Sequence, residues 1–451
     1  MVFCATITLY LNLYEFRFKE GKMALIADFF KSKKTNETKI DASIGVTESI
    51  SVDDLKKLIP IRQLKSEFLE AFVLEHKAKI FSKGATLFAA GTPADSVYFL
   101  LQGEVELTDK NGVSYIIDNA SPKSRFALFA GVVHTTTAIA KTDVSILAVS
   151  QKIMQMHQVD KQAQQLELPP EYENNRLLQL FVQNFSNDEV LIPAMPDTAL
   201  HLRKAMQQEI GVHEAVKIIQ LDPVVSGKLI QVANCPLYIT LQPAKSCLEA
   251  VNRIGLIGAR SLVTTLCLKQ VFNSKKPVLK KYMDALWKRS IYISSISYVL
   301  AKETGKVDPE EALLAGLVVD IGIIPLLSFT DNLPSDFYTE AELKEAMGFV
   351  RGVVGKRVLE RWDFPEELVD IPLYSNDWYQ HRSEELSVLD VVVLAQLHSK
   401  IGQKDNKAYP AISSIPAASK LDDATLSPEH SLAILHDAKG KINNALKAFS
   451  Q

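Results

Sequence analysis

The sequence predicts a multidomain α+β protein in which a small β-roll precedes an all-α domain. Three observations carry this reading. At 451 residues the chain is longer than one hydrophobic core organises, so two or three domains are expected. Between Ala78 and Ser150, short apolar runs are cut by Gly84, Gly91, Gly103, Gly112 and Gly131, the pattern of many short strands joined by turns. From Ala199 to Leu326 the apolar residues recur at helical spacing and strand signals are scarce.

The elements follow in order. Residues 1–52 read as a lead segment and tether, because TNETKIDASIGVTESIS at 35–51 is polar and rich in Ser and Thr. Residues 53–158 hold the roll, entered by a helical stretch over Leu55–Glu75. Its strands are expected in LFAAG, SVYFLLQGEVELT and VSYIID, with a hairpin turn at the Lys-Asn-Gly of 110–112. Residues 159–187 read as a helical linker kinked by Pro169 and Pro170. The helical domain spans 188–400, entered through Pro193 and Pro196 with Asp197 or Thr198 as a helix cap, and 401–451 form its tail and last helix. Within it, Asp222 before Pro223 reads as an N-cap for a helix facing inward through Val224, Leu229, Ile230 and Val232. Asn234 is expected to close that helix in a left-handed conformation, and Gly255 and Gly258 to permit a tight junction.

Composition narrows the function classes. The chain is 47% hydrophobic and 23% charged, enough to bury sizeable cores, and 53 acidic against 50 basic residues argue against nucleic acid as the main partner. Cys4, Cys235, Cys247 and Cys267 form no CxxC pair, so reduced thiols and a cytoplasmic location are expected, with Cys235 and Cys267 as buried packing residues. No uninterrupted apolar run reaches the roughly 18 residues of a membrane span. The apolar start is broken by Asn12 and Glu15 and lacks a basic n-region, which favours a loose amphipathic lead segment or a translation start at Met23 over a signal peptide. HExxH, GxxxxGK[ST], GxGxxG and GxSxG are all missing, and the basic run at 275–289 reads as a solvated helix face.

The stretch KGATLFAAGTPADSVYFLLQGEVELTDKNG, 83–112, resembles the front half of a cyclic-nucleotide-binding domain. That family's phosphate cassette opens Phe-Gly-Glu and continues to an Arg; helix-start N–H groups and the Arg hold the cyclic phosphate while the Glu accepts from the ribose. Here the sequence runs from Phe126 through Ala127 and Leu128, with His134 near the Arg position and Thr135 beside it. Leucine cannot bond a sugar hydroxyl, and a neutral imidazole does not replace a guanidinium fork. A vestigial roll used for packing or partner contact is the expectation, with a small anion at Thr135, Thr136 and Thr137 as the lesser alternative.

The runs QLDPVVSGKLIQVAN (220–234), AVNRIGLIGARSL (250–262), LAGLVVDIGIIPLL (314–327) and LERWDFPEELVDI (359–371) together resemble the HDOD signalling domain, a relative of the HD phosphohydrolases. PAASKLDDATLSPE, 416–429, is compatible with the tail of that domain. The resemblance places the HD metal-ligand positions at Arg289, Val319, Asp320, Arg351, Ser375, Asn376 and Gln396. Only Asp320 is a ligand type, and an arginine has no lone pair to offer a cation. An ion pair between Arg289 and Asp320, shared with Arg351, is expected in place of the metal, with Asp320 buried in an apolar helix; the alternative is that Asp320 caps the next turn through backbone N–H groups. What the resemblance implies is a non-catalytic bacterial signal-transduction protein with no cofactor and no bound metal, acting on an unidentified signalling partner through protein contacts. The alternatives are a sensor taking a small-molecule ligand in the roll and, behind it, a residual metal-dependent phosphohydrolase.

Overall fold

A computed structural model describes residues 47–451 apart from 65, 152–165, 167, 207–209, 236–237, 239–241, 402–408 and 451. The expected lead segment up to residue 46, Cys4 and most of the stretch read as linker before Pro169 lie outside the described residues.

The roll is built from two four-stranded antiparallel sheets. One is ordered β1 (Thr47–Ser49), β2 (Lys77–Phe81), β8 (Val144–Ser150), β4 (Ser96–Gln102). The other is ordered β3 (Thr86–Phe88), β7 (Thr136–Ala140), β5 (Glu104–Asp109), β6 (Ser114–Asp118). Alternation sets the inward faces: Val97, Phe99, Val105 and Leu107 are wholly buried, while their neighbours along each strand are less so. SVYFLLQGEVELT, read as one strand, is two. Gly103 at φ +89° breaks it, and a Cβ there would collide with the Asp143 carbonyl and Thr142. The hairpin at 110–112 is present, with Gly112 at φ +84° and Asp109 accepting from the Asn111 and Val113 N–H groups.

The remainder is helical. Arg176–Ser186 does not behave as a free linker: Asn175 caps it, and the Asn175 amide donates to the Glu342 carbonyl at 2.9 Å, pinning it to the Glu340–Arg361 helix. Asp222 caps Pro223–Ala233 through the Val224 and Val225 N–H groups, as the sequence indicates. That helix buries Leu229 and Val232 and half-buries Ile230 as expected, whereas Val224 stands 65% exposed and Val225 turns inward instead. Asn234 ends the helix at φ −99° rather than in the left-handed region. It closes the turn through its side chain, which bonds the Ala244 N–H and carbonyl and accepts from Arg253. Gly255 does take positive φ, +87°, at the junction of Cys247–Ile254 with Leu256–Leu268. Gly258 lets that junction approach Glu310, a buried carboxyl held by the Tyr238 hydroxyl at 3.1 Å.

The long Pro277–Thr304 helix packs on Pro309–Val318 so closely that a Cβ on Gly316 would meet the Ser294 backbone. Pro309–Asp331 is long and apolar enough to cross a membrane, with mean hydropathy 2.3, yet 89% of that window is buried inside the fold. It works here as core. Cys247 and Cys267 are buried; Cys235, expected to be so, is half-exposed. One continuous set of buried apolar side chains runs from Phe81 in the roll to Ile442 near the end, so the roll and the helical region share a core.

Candidate functional site

Asp320 lies not within a helix but in the turn between Pro309–Val318 and Ile323–Asp331. Gly322 makes this turn possible, because any side chain there would strike the Gly355 backbone and the Arg351 carbonyl on the neighbouring helix. The turn is thereby pressed against the helix that carries Arg351. A fully buried carboxylate is costly unless compensated, and two guanidiniums compensate this one. Arg289, from Pro277–Thr304, donates Nε to Asp320 Oδ2 at 2.7 Å, the pairing the sequence suggests. Arg351 Nε stands 3.0 Å from Oδ1 without the alignment of a hydrogen bond, so its contribution is coulombic.

The other positions gather round this core. Arg289 Nη2 donates to Gln396 Oε1 at 2.5 Å, and the Gln396 amide donates to the Ser375 carbonyl at 2.9 Å. Arg351 Nη1 donates to Asn376 Oδ1 at 3.3 Å. Val319 is buried and takes no polar part. Lys400 follows Gln396 by four residues; burial lowers its pKa, the two arginines lower it further, and Asp320 opposes them. A divalent cation needs several neutral imidazoles and free carboxylate oxygens. These side chains supply one carboxylate, with a guanidinium on each oxygen, and so do not fit one. Among the described residues no group of three or more His, Cys, Asp or Glu could hold a metal ion.

The second vestigial site, in the roll, is closed. Residues 126–135 contain no helix, so there is no helix start to offer N–H groups to a phosphate. Their N–H groups are already used: Ala127 donates to the Tyr379 hydroxyl (3.1 Å), Leu128 to the Tyr98 carbonyl (2.8 Å) and Ala130 to the Ser414 carbonyl (2.8 Å). Phe126, Ala127, Leu128 and His134 are each at most 4% exposed. His134 stacks on Phe88 at 4.1 Å between ring centres, tilted against Phe129, and burial depresses its pKa to about 4. It serves as a neutral aromatic where the family has a cation. Thr135 donates to the Ser413 carbonyl at 2.7 Å and Thr137 accepts from Ala90, so two of the three threonine hydroxyls considered for a small anion are engaged within the protein, and Thr136 is buried.

The segment around 411–432, which the sequence marks only as a tail, closes the roll. Ser413 also meets the buried Tyr115 hydroxyl at 3.1 Å, and burial raises that phenol to about 12. Ser419 sits so close to Gly131 that a Cβ there would overlap it. Asp109 accepts from the Leu426 N–H at 2.7 Å. The segment is clamped to the helical region by Lys420, 4% exposed, whose amine lies 2.9 Å from the fully buried carboxylate of Asp390. Gln380 donates to the same carboxylate at 2.6 Å. Nothing local in the sequence marks Tyr379, Asp390, Ser413 or Lys420, since each acts on a residue distant in the chain or, for Asp390, on a lysine 30 positions away.

Comparison with known proteins fits this arrangement. Residues 192–378 match the family model of the HDOD domain, and residues 78–157 match that of the cyclic nucleotide-binding domain. Among curated proteins, an uncharacterized protein of Treponema pallidum is 21% identical over 224 residues, covering 46% of this chain and 42% of that protein. The chain therefore spans less than half of that relative's length. Among solved structures, a Shewanella amazonensis SB2B protein named "Putative metal-dependent phosphohydrolase" aligns at TM-score 0.52 and 24% identity, over 61% of this chain and 99% of its own. At that identity the likeness speaks for the fold. An HDOD domain protein of unknown function from Geobacter sulfurreducens aligns at TM-score 0.46 and 18% identity, over 62% of this chain and 99% of its own.

Proposed function

We infer, for a chain that carries an HDOD domain behind a cyclic nucleotide-binding domain, a non-catalytic signal-transduction role in the cytoplasm, exerted through protein contacts. In this reading the roll is a regulatory piece whose docking on the 411–432 segment sets the surface the helical domain offers a partner. The observation that carries the proposal is the use of the roll's cassette as a docking face: its backbone is bonded to Tyr379 and Ser414. A second support is the Asp320 cluster, where guanidiniums take the coordination space a hydrolytic metal would need. A module wired to its neighbour in this way transmits a change of state when an input shifts the docked population.

The test is hydrolysis by the full chain of phosphomonoester, phosphodiester and cyclic dinucleotide substrates with manganese, iron(II) or magnesium supplied in excess. No turnover above the uncatalysed rate is expected. Turnover that disappears in Asp320→Asn would overturn the non-catalytic assignment. Titration with cyclic mononucleotides, read as a thermal shift, is expected to give none, because a ligand stabilises only a fold that has room for it.

A further inference from the structure

We propose that Arg289, Arg351 and Lys400, gathered round the single carboxylate of Asp320, form a binding site for a phosphate-type oxyanion, either free phosphate or the phosphoryl end of a phosphomonoester. The argument begins with charge. Two guanidiniums flank one carboxylate, one on each oxygen, so the pair carries more positive charge than Asp320 balances, and Lys400 lies near enough to feel all three groups. Burial lowers the pKa of Lys400 most, and the nearby Arg289 and Arg351 lower it further against the pull of Asp320. Lys400 makes no ion pair among the described residues and lies 5.4 Å from the Tyr409 ring centre. An unbalanced cluster of this kind is a standing attraction for an anion.

Donor geometry agrees. A guanidinium carries five N–H groups, and Arg289 spends only those on Nε and Nη2 on Asp320 and Gln396. Arg351 gives one hydrogen bond, from Nη1 to Asn376. Apart from Arg351 Nε, which faces Asp320 Oδ1, the remaining N–H groups of both make no hydrogen bond among the described residues. The two arginine side chains are 24% and 26% exposed while Asp320 is at 0%, so the carboxylate lies beneath two partly exposed cations. Planar guanidinium forks match the paired oxygens of a phosphoryl group and hold a spherical halide less well, which selects the oxyanion. This goes beyond the signalling role and requires no reaction, so hydrolysis assays and binding assays can fail separately.

The experiment is calorimetric titration of the full chain with inorganic phosphate and, separately, with phenyl phosphate, against sodium chloride matched for ionic strength. Saturable binding is expected in at least one phosphate arm and not with chloride; the tighter arm identifies the source. Lys400→Gln and Arg351→Gln are each expected to weaken that binding about tenfold or more, the usual size of a lost charge-assisted hydrogen bond. Arg351→Gln also removes a cation from Asp320, so its fold is checked by melting. Lys400→Gln leaves the Arg289–Asp320 pair in place and stands as the cleaner variant. No saturation above the chloride control would overturn the proposal, as would binding that neither variant changes.

Discussion

The roll and the helical region each hold a site that a family resemblance marks as functional, and the residues at each depart from the family's pattern in a different way. In the roll, apolar and aromatic groups replaced the polar ones: Leu128 is fully buried and His134 lies stacked among Phe88 and Phe129. The space was then filled by the chain itself, through Tyr379, Ser413 and Ser414. In the helical region, cations replaced the metal ligands, and the surviving carboxylate was neutralised rather than removed. A cavity lined by apolar atoms is stabilised by being packed shut, whereas a cavity lined by guanidiniums resists closing because burying unpaired charge is costly. The first site becomes an interface and the second stays able to take an anion.

The sharpest way to break this contrast is to return the family's carboxylate to the roll with Leu128→Glu. If the cassette is packed shut, the new carboxylate enters a position with 0% exposure, at a cost of about 4 kcal/mol, read by urea unfolding. A loss under about 1 kcal/mol, or a gain of cyclic-nucleotide binding, would show that the site is open after all. Next in size is Lys420→Met, which removes one partner of the buried pair with Asp390. Gln380 and Ser387 still donate to that carboxylate, which places the cost near about 3 kcal/mol, at the low end for a broken buried pair. Because Lys420 clamps the segment that covers the roll, amide exchange at 126–135 should quicken in this variant well before the Pro277–Thr304 helix responds.

How much of this was legible in the sequence follows the same division. The Arg289–Asp320 pair could be read in advance, because charged residues standing at aligned motif positions must be compensated when buried, and few partners are at hand. Half of the strands, β3 to β6, could be read from alternation and glycine spacing, though β4 and β5 as a single run, and the Asp222 cap from a local rule. The closed cassette could not. Its partners are Tyr379, 252 positions from Ala127, and Ser413, 278 positions from Thr135, and no periodicity or charge pattern announces a hydroxyl meeting a distant backbone group. The same limit explains Val224 and Asn234: apolarity and cap preference were read correctly, but which face turns inward and how the turn closes depend on what packs against them.

The smallest expected effect separates the two regions by pH. His134 in the roll is held neutral by burial, with a pKa of about 4 against an ordinary 6.5. Between those values the unfolded chain binds more protons than the folded one, so this stabilisation is complete above pH 6.5 and is lost as pH falls through 4. Glu310 in the helical region runs the other way: burial, helped by Asp308, raises it from 4.5 to about 7 against the pull of the Tyr238 hydrogen bond. There the folded chain holds the extra proton, so stability is complete below pH 4.5 and declines as pH rises through 7. His398, also depressed to about 4, adds to the acid side from the helical region, so single variants are needed to assign each slope. Glu310→Gln is expected to flatten the decline between pH 4.5 and 7 and leave the acid limb intact. His134→Phe keeps the aromatic stack and should reduce only the acid limb, measured as denaturant midpoint against pH. Equal changes from both variants on the same limb would mean that the two regions do not differ in how they accommodate their buried ionisable groups.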